Sequence, residues 1–119
     1  MSIKMVSIED DGVAVLACDQ ELDGLALSSQ DNSAMQKVLG EKWSTKRVAL
    51  DLSATQYIDS ATIGWLLSTH KHFNEGGGRV VLHGMQPSVK RVIEMMRIHQ
   101  VLELVADREQ AMARLRETP

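Results

Sequence analysis

The chain lacks the cysteine pairs and long apolar segments that are typical of small secreted proteins and of membrane proteins. Its 119 residues include a single cysteine, Cys18, so an internal disulfide is excluded. No apolar run approaches the length that spans a bilayer. The first twelve residues, MSIKMVSIEDDG, lack the long apolar segment of a secretory signal. We therefore expect a soluble, cytoplasmic protein with no membrane span, in which Cys18 is a small hydrophobic residue near the core.

An excess of charge of one sign is lacking as well. Thirteen lysines and arginines stand against 16 aspartates and glutamates, for a net charge of −3, and the two signs are interspersed. This balance gives no basic footprint for nucleic acid. The four histidines fall on several predicted elements, and His70 and His72, two residues apart on one helix, point to different sides. We therefore expect no metal site, no cofactor and no catalytic residue.

Aromatic residues make up only 3% of the chain, whereas hydrophobic residues make up 44%. That fraction is enough to fill one core, which must be built from valine, isoleucine, leucine, methionine and alanine. A lone tryptophan in a loop, such as Trp43, more often seals the edge of a core than lies exposed. The sequence therefore predicts a single domain over residues 1–119, with helices packed on a sheet.

The order of apolar runs and turn signals predicts an α/β fold. Short apolar runs predict strands at 3–8, 13–17, 48–52, 79–83 and 102–105. Helical patterns follow around 35–39, from Ser60 to the glycines at 76–78, from Pro87, and after Asp107. The resulting order is β-β-α-β-α-β-α-β-α. It predicts a mixed β-sheet with an N-terminal antiparallel hairpin, a parallel βαβ part and about four packing helices.

The segment 48–73 contains the strongest local signal. After its strand, Asp59 and Ser60 supply side chains of the type that accepts hydrogen bonds from the first amides of a helix. At 100° per residue, the side predicted to face the sheet carries Ile63, Leu66, Leu67, His70 and Phe73. The side predicted to face outward carries Ala61, Trp65, Ser68 and His72. Ser60 would lie at the N-terminal end of this helix, beside Gly64. The helix dipole favours a negative group at that end, and a phosphate fits there.

Three blocks of this chain resemble a known family. They are Leu22-Asp23, then Leu50-Asp51-Leu52 followed by Ile58-Asp59-Ser60, and finally the run QPSVKRV at 86–92. These blocks and their spacing resemble STAS domains, and among them the anti-sigma factor antagonists of bacterial partner-switching systems. The resemblance covers the chain from Val13 onward and implies a mixed sheet with helices.

The resemblance also implies a regulatory role. In the family, the serine of the Asp-Ser pair is phosphorylated by a partner that is both an anti-sigma factor and a serine kinase, and here that serine is Ser60. The unphosphorylated form binds the kinase and releases the sigma factor; the phosphorylated form does not bind until a phosphatase restores it. The implied partner-binding residues are Asp23, Asp59, Ser60, Ala61, Thr62 and Trp65.

The motif departs from the family pattern at two positions. Most members have Asp-Ser-Ser/Thr-Gly-Leu/Ile-Gly, whereas Ala61 and Thr62 stand here in place of a hydroxyl residue and a glycine. Ser60 is therefore either still the phosphoacceptor, with a specialised partner that tolerates Thr62, or only a helix cap. Thr62 could itself be modified. Asp23 and Asp59 could help to bind a magnesium nucleotide held by the kinase, or could simply shape their turns.

Three classes of function remain open at this point. The leading one is a regulatory binding module for an anti-sigma kinase, with Trp65 either anchoring the interface or packing under a neighbouring loop. The alternative is a docking or scaffold subunit of a stress-signalling assembly or of a lipid ABC transporter, in which Ser60 is not switched. An enzyme with Ser60 as nucleophile is the least favoured, because no histidine base accompanies it. The sequence leaves homo-oligomerisation undecided.

Overall fold

The structure, a computed structural model, describes residues 3–9, 12–18, 33–56 and 58–117, with the backbone alone at 33 and 34. The strands are β1 (Ile3–Ile8), β2 (Val13–Cys18), β3 (Arg47–Asp51), β4 (Arg79–His83) and β5 (Leu104–Val105). The helices in these ranges are α1 (Ser33–Leu39), α2 (Ser60–Gly76), α3 (Pro87–Met95) and α4 (Arg108–Arg116), with short 3-10 turns at Trp43–Thr45 and Ile98–Gln100. The predicted order of elements is confirmed.

The five strands form one mixed sheet in the order β1-β2-β3-β4-β5. β1 and β2 are antiparallel, and every other neighbouring pair is parallel. The predicted fold class is therefore confirmed. The last strand is shorter than the predicted 102–105, because the amides of Val101 and Leu102 both donate to the carbonyl of Ile98. This local turn keeps Leu102 out of the sheet.

The sheet separates two hydrophobic layers. α1, α2 and α3 pack on one face and form the larger core cluster, to which they contribute residues such as Met35, Phe73 and Ile93. Of the described helices, only α4 packs on the other face, where Met112 and Leu115 contact the valines of the strands. None of the helices in the described ranges is long and apolar enough to cross a bilayer.

The glycine triplet ends α2, as predicted. Gly77 adopts a left-handed conformation with φ of 85°, and its amide donates to the carbonyl of Phe73. Gly78 then donates to the carbonyl of Ser44, 2.9 Å away, which brings the chain against the loop before β3. Trp43 is buried in that loop and packs edge-on against Phe73 with ring centroids 5.1 Å apart. The prediction that Trp43 seals the core edge is confirmed.

Two glycine substitutions should have opposite effects on the free energy of unfolding. A Cβ at Gly64, inside α2, would meet no atom within 4 Å. Gly64→Ala should therefore stabilise the protein by roughly 0.5–1 kcal/mol through helix propensity. A Cβ at Gly78 would overlap the carbonyl oxygens of Ser44 and Lys46, so Gly78→Ala should cost about 1–3 kcal/mol. Chemical denaturation measures both, and a shift of the same sign would contradict the packing described.

Candidate functional site

The candidate site lies at the carboxyl-terminal ends of the parallel strands. β3 and β4 finish side by side, with Asp51 paired to His83. The segment 52–59 then leads into α2, and the segment 84–86 leads into α3. β2 ends at Cys18, on the same side of the sheet, since Ala17 is paired to Asp51. The predicted site residue Asp23 lies outside the described residues.

Hydrogen bonds join the two connections into one surface. The side-chain amide of Gln86 donates to the carbonyl of Ser53 at 2.9 Å. The hydroxyl of Ser88, at the start of α3, donates to the carbonyl of Gln56, also at 2.9 Å. The segment before α2 is thus fixed to the segment that opens α3.

The turn after β3 is held from within. One carboxylate oxygen of Asp51 accepts a hydrogen bond from the amide of Ser53 at 2.8 Å. The amide of Thr55, whose side chain is buried, donates to the carbonyl of Leu52 at 3.0 Å. Gly84 passes this turn with φ of 74°, and a Cβ there would lie 3.0 Å from the Asp51 carboxylate. The turn after β3 is therefore held by hydrogen bonds of its own and by close contact with Gly84.

Asp59 is the N-cap of α2. One of its carboxylate oxygens accepts a hydrogen bond from the amide of Thr62 at 2.7 Å, and its carbonyl accepts one from the amide of Ile63 at 3.0 Å. Ser60 is the first helical residue, and it is exposed. The interpretation of Ser60 as the helix cap is therefore wrong. Its side chain lies at the positive end of a 17-residue helix dipole.

The positions that follow Ser60 turn progressively inward. Ala61 is half-buried, and Thr62 is fully buried. The expectation that Thr62 could be modified or could stand in the way of a kinase is wrong for this structure, because its side chain faces the protein interior. Thr62 therefore contributes to the packing beneath the site.

Trp65 does not face outward, so that prediction is wrong. Its exposed fraction is 0%, and it belongs to the larger core cluster. The buried residues of α2 are Thr62, Ile63, Trp65, Leu66, Thr69 and Phe73. This buried face is rotated by roughly 60° from the predicted one. The error arose because Thr62 and Thr69, both polar, lie near its centre, while Leu67 and His70 are only half-buried.

The neighbouring positions of Asp51 and His83 at the strand ends were not predicted from the sequence. Only 3% of His83 is exposed, and its Nε2 atom has no hydrogen-bond partner in the described part of the chain. Burial lowers the pKa of His83 below its ordinary value of 6.5; Asp51 and Asp107 oppose the shift, and Arg108 adds to it. The strand register places this histidine beside Asp51, and periodicity alone does not fix that register. The described residues contain no group of three or more side chains that could hold a metal ion.

Removal of the cap should separate the roles of Asp59 and Ser60. Asp59→Ala should lower the free energy of unfolding by about 1 kcal/mol, because the Thr62 amide loses its acceptor. Asp59→Asn, which retains an acceptor, should lower it much less. Ser60→Ala should change it by less than about 0.5 kcal/mol, as is usual for an exposed residue away from such features. Urea denaturation measures all three, and an equal loss in Ser60→Ala and Asp59→Ala would contradict the cap assignment.

The buried His83 should make stability depend on pH. Because its pKa is lowered in the folded state, the unfolded chain binds more protons between the two pKa values. Stability from this residue is therefore complete above pH 6.5 and is lost as the pH falls through 6.5 toward the folded-state pKa. His83→Gln should show a shallower loss of unfolding free energy between neutral and acidic pH. His99→Gln, at an exposed position, should match the wild-type slope; equal slopes in all three proteins would refute this role of His83.

Comparison with known proteins finds a matching domain family and several solved structures with a similar fold. A model of the STAS domain matches residues 4–111. The fold is similar to a candidate anti-sigma factor antagonist from Thermotoga maritima, with 23% identity, a TM-score of 0.77 and 92% of each chain covered. It is also similar to an anti-sigma factor antagonist from Mycobacterium paratuberculosis, with 23% identity, a TM-score of 0.70, and 97% of this chain and 95% of that chain covered.

A third similarity involves a much larger protein. The murine anion transporter Slc26a9 shares the fold over 22% of its chain and 98% of this one, with 13% identity and a TM-score of 0.74. These structural similarities describe a common fold. The family match runs from β1 into α4 and includes the strand ends and the start of α2. The chain therefore belongs to the STAS domain family.

Proposed function

We propose that this chain is an anti-sigma factor antagonist that is switched off by phosphorylation of Ser60. In its unphosphorylated form it binds an anti-sigma factor with serine kinase activity, so that the sigma factor is released. A phosphatase would reverse the modification. The chain itself acts in the cytoplasm as a binding module and not as an enzyme. The observation that supports this proposal is the exposed Ser60 at the first position of α2, beside a cap formed by Asp59.

The geometry suits Ser60 as a phosphoacceptor. Its side chain is exposed, and the capping role belongs to the neighbouring carboxylate. In the kinase reaction, the Ser60 Oγ atom would form a bond to the γ-phosphorus of ATP, the bond to ADP would break, and the hydroxyl proton would leave. The product carries about −1.5 to −2 charges. The dipole of α2 favours such a charge at its N-terminus, so the fold tolerates the modification.

The same charge would prevent binding. Asp59 is exposed next to Ser60, and phosphorylation would therefore join two anionic groups on one small surface. A partner docked there would have to desolvate both groups or pair them with cations. A partner surface that fits a neutral hydroxyl supplies no such cations. The switch thus acts on the interface, while the packing of α2 stays intact.

The proposed partner surface is wider than the helix start. Asp59, Ser60 and Ala61 would form its centre. The exposed Gln56 and Ser88, joined by their hydrogen bond, extend it toward α3. Thr62 and Trp65 would support the surface from the core, which replaces their predicted contact with the partner. Asp23 remains in the proposal through its place in the family motif.

A second candidate is a docking subunit without a switch. Such a protein would be part of a stress-signalling assembly or a lipid ABC transporter. It is favoured by the departure at Ala61 and Thr62, where the family pattern has a hydroxyl residue and a glycine. In this case the surface around Ser60 would bind its partner constitutively, and Ser60 would be an ordinary exposed residue.

Incubation with candidate anti-sigma kinases and ATP, followed by intact-mass analysis, tests the proposal. The wild-type protein should gain the mass of one phosphate, and Ser60→Ala should gain none. Ser53→Ala is the matched control, because Ser53 is also exposed and lies on the same surface. It should be phosphorylated like the wild type, as should Thr62→Ala, which removes a buried hydroxyl.

Binding measured on the same samples separates the two candidates. The switch predicts that the unphosphorylated protein binds the kinase and that the phosphorylated protein loses at least tenfold in affinity, which corresponds to about 1.4 kcal/mol. Binding without any mass gain would refute the switch and support the docking role. A mass gain that persists in Ser60→Ala would place the acceptor elsewhere.

A further inference from the structure

Among the described strands, β1 forms an edge of the sheet. It is six residues long and pairs with β2 on one side only among the described strands. The unpaired backbone groups of such an edge can bind a strand of another chain. Three apolar side chains of β1 are exposed: Met5 by 38%, Val6 by 52% and Ile8 by 61%. Half of the large hydrophobic residues exposed in the described ranges therefore lie on this single strand.

The hydrogen-bond pattern shows which backbone groups of β1 point outward. The amide of Glu9 donates to the carbonyl of Val13 at 2.9 Å, so Glu9 faces β2. Bonded and non-bonded pairs alternate in an antiparallel ladder. The next pair, Ile8 with Ala14, is therefore non-bonded. The amide and carbonyl of Ile8 consequently point away from β2, toward the open edge.

A β-bulge brings Met5 into the same relation. The register shifts between Met5 and Ser7, so that Met5 opposes Leu16 and Ser7 opposes Val15. Counted along β2, the pair at Leu16 is again non-bonded, and the backbone groups of Met5 also point outward. Leu16 and Ala14 both belong to the larger core cluster. Met5 and Ile8 are thus successive outward residues on the same face of the sheet.

We propose that β1 pairs antiparallel with β1 of a second copy of this chain, which joins the two sheets into one of ten strands. The two-fold axis would pass between Val6 and Ser7, so that Met5 of each copy opposes Ile8 of the other. These two pairs use the outward groups of both residues and form four backbone hydrogen bonds. The β-bulges of the two copies lie opposite each other at the two-fold axis. In each strand Ile8 lies three positions after Met5, so both hydrogen-bonded pairs form together.

The charges of Lys4 in β1 and of Glu9, which directly follows β1, fit this register. Lys4 and Glu9 lie on the face opposite to Met5 and Ile8, since they oppose Ala17 and Val13. In the proposed register, Lys4 of one copy stands directly across from Glu9 of the other, and this happens twice. Opposite charges at facing positions favour a strand pair, and like charges disfavour it. A shift of the register by one residue would lose both pairs.

The proposal requires only a second copy and is independent of the role of Ser60. Because β1 is short, the interface would be small, and the dimer should dissociate on dilution. Sedimentation velocity of the wild-type chain from low micromolar to near-millimolar concentration should therefore show a monomer converting to a dimer. A monomer at all concentrations would overturn the proposal.

Charge exchange tests the register. Lys4→Glu should weaken the dimer at least severalfold, because it places two carboxylates opposite each other. The double variant Lys4→Glu, Glu9→Lys should recover part of the affinity; the recovery is incomplete because Glu9 also lies 3.7 Å from Arg108 of its own chain, which a lysine would repel. Lys42→Glu, at an exposed position outside the strand, controls for net charge and should dimerise like the wild type. Equal weakening by Lys42→Glu, or no recovery in the double variant, would contradict the register.

Cross-linking supplies an answer even where a charge variant folds poorly. Facing residues of a non-bonded antiparallel pair lie close enough for a disulfide. Under mild oxidation, the variant Lys4→Cys, Glu9→Cys should form a covalent dimer. Lys4→Cys alone should not, because the two Lys4 positions lie far from each other. Circular dichroism verifies folding of both, and equal cross-linking in the single and double variants would refute this pairing.

Discussion

The parallel register of β2, β3 and β4 is the constraint on which the rest of the structure depends. It ends the three strands in one row, so that Ala17, Asp51 and His83 lie side by side. The connections that follow β3 and β4 must therefore start next to each other. The hydrogen bond from Gln86 to Ser53 then joins them. A slip of one residue would turn every core side chain of a strand to the opposite face, and the site would be lost with the core.

The start of α2 divides two tasks between neighbouring residues. Asp59 satisfies the amide of Thr62, so the helix begins at a defined position. Ser60 is exposed and is not the residue that caps the helix. Behind it, Thr62 and Trp65 are fully buried. A charge added to Ser60 would therefore lie at the surface, above a buried layer of side chains.

Local patterns in the sequence predicted the elements and their order, because short apolar runs, caps and glycines act over a few residues. The phase of α2 was predicted wrongly, since the buried Thr62 and Thr69 look like surface residues, and Trp65 was therefore placed on the outward side of the helix. The neighbourhood of His83 depends on pairing between strands 32 residues apart along the chain, Asp51 with His83, which no local pattern specifies. Asp23, predicted from the family motif, lies outside the described residues.

We propose that phosphorylation of Ser60 changes a surface of the protein while the fold stays the same. NMR tests this proposal by comparing the amide chemical shifts of the phosphorylated and unphosphorylated protein residue by residue. We expect changes in chemical shift to be confined to 53–63 and 84–91, with the strands and the C-terminal half of α2 unchanged. Changes spread through the sheet, or a loss of signal dispersion, would contradict it.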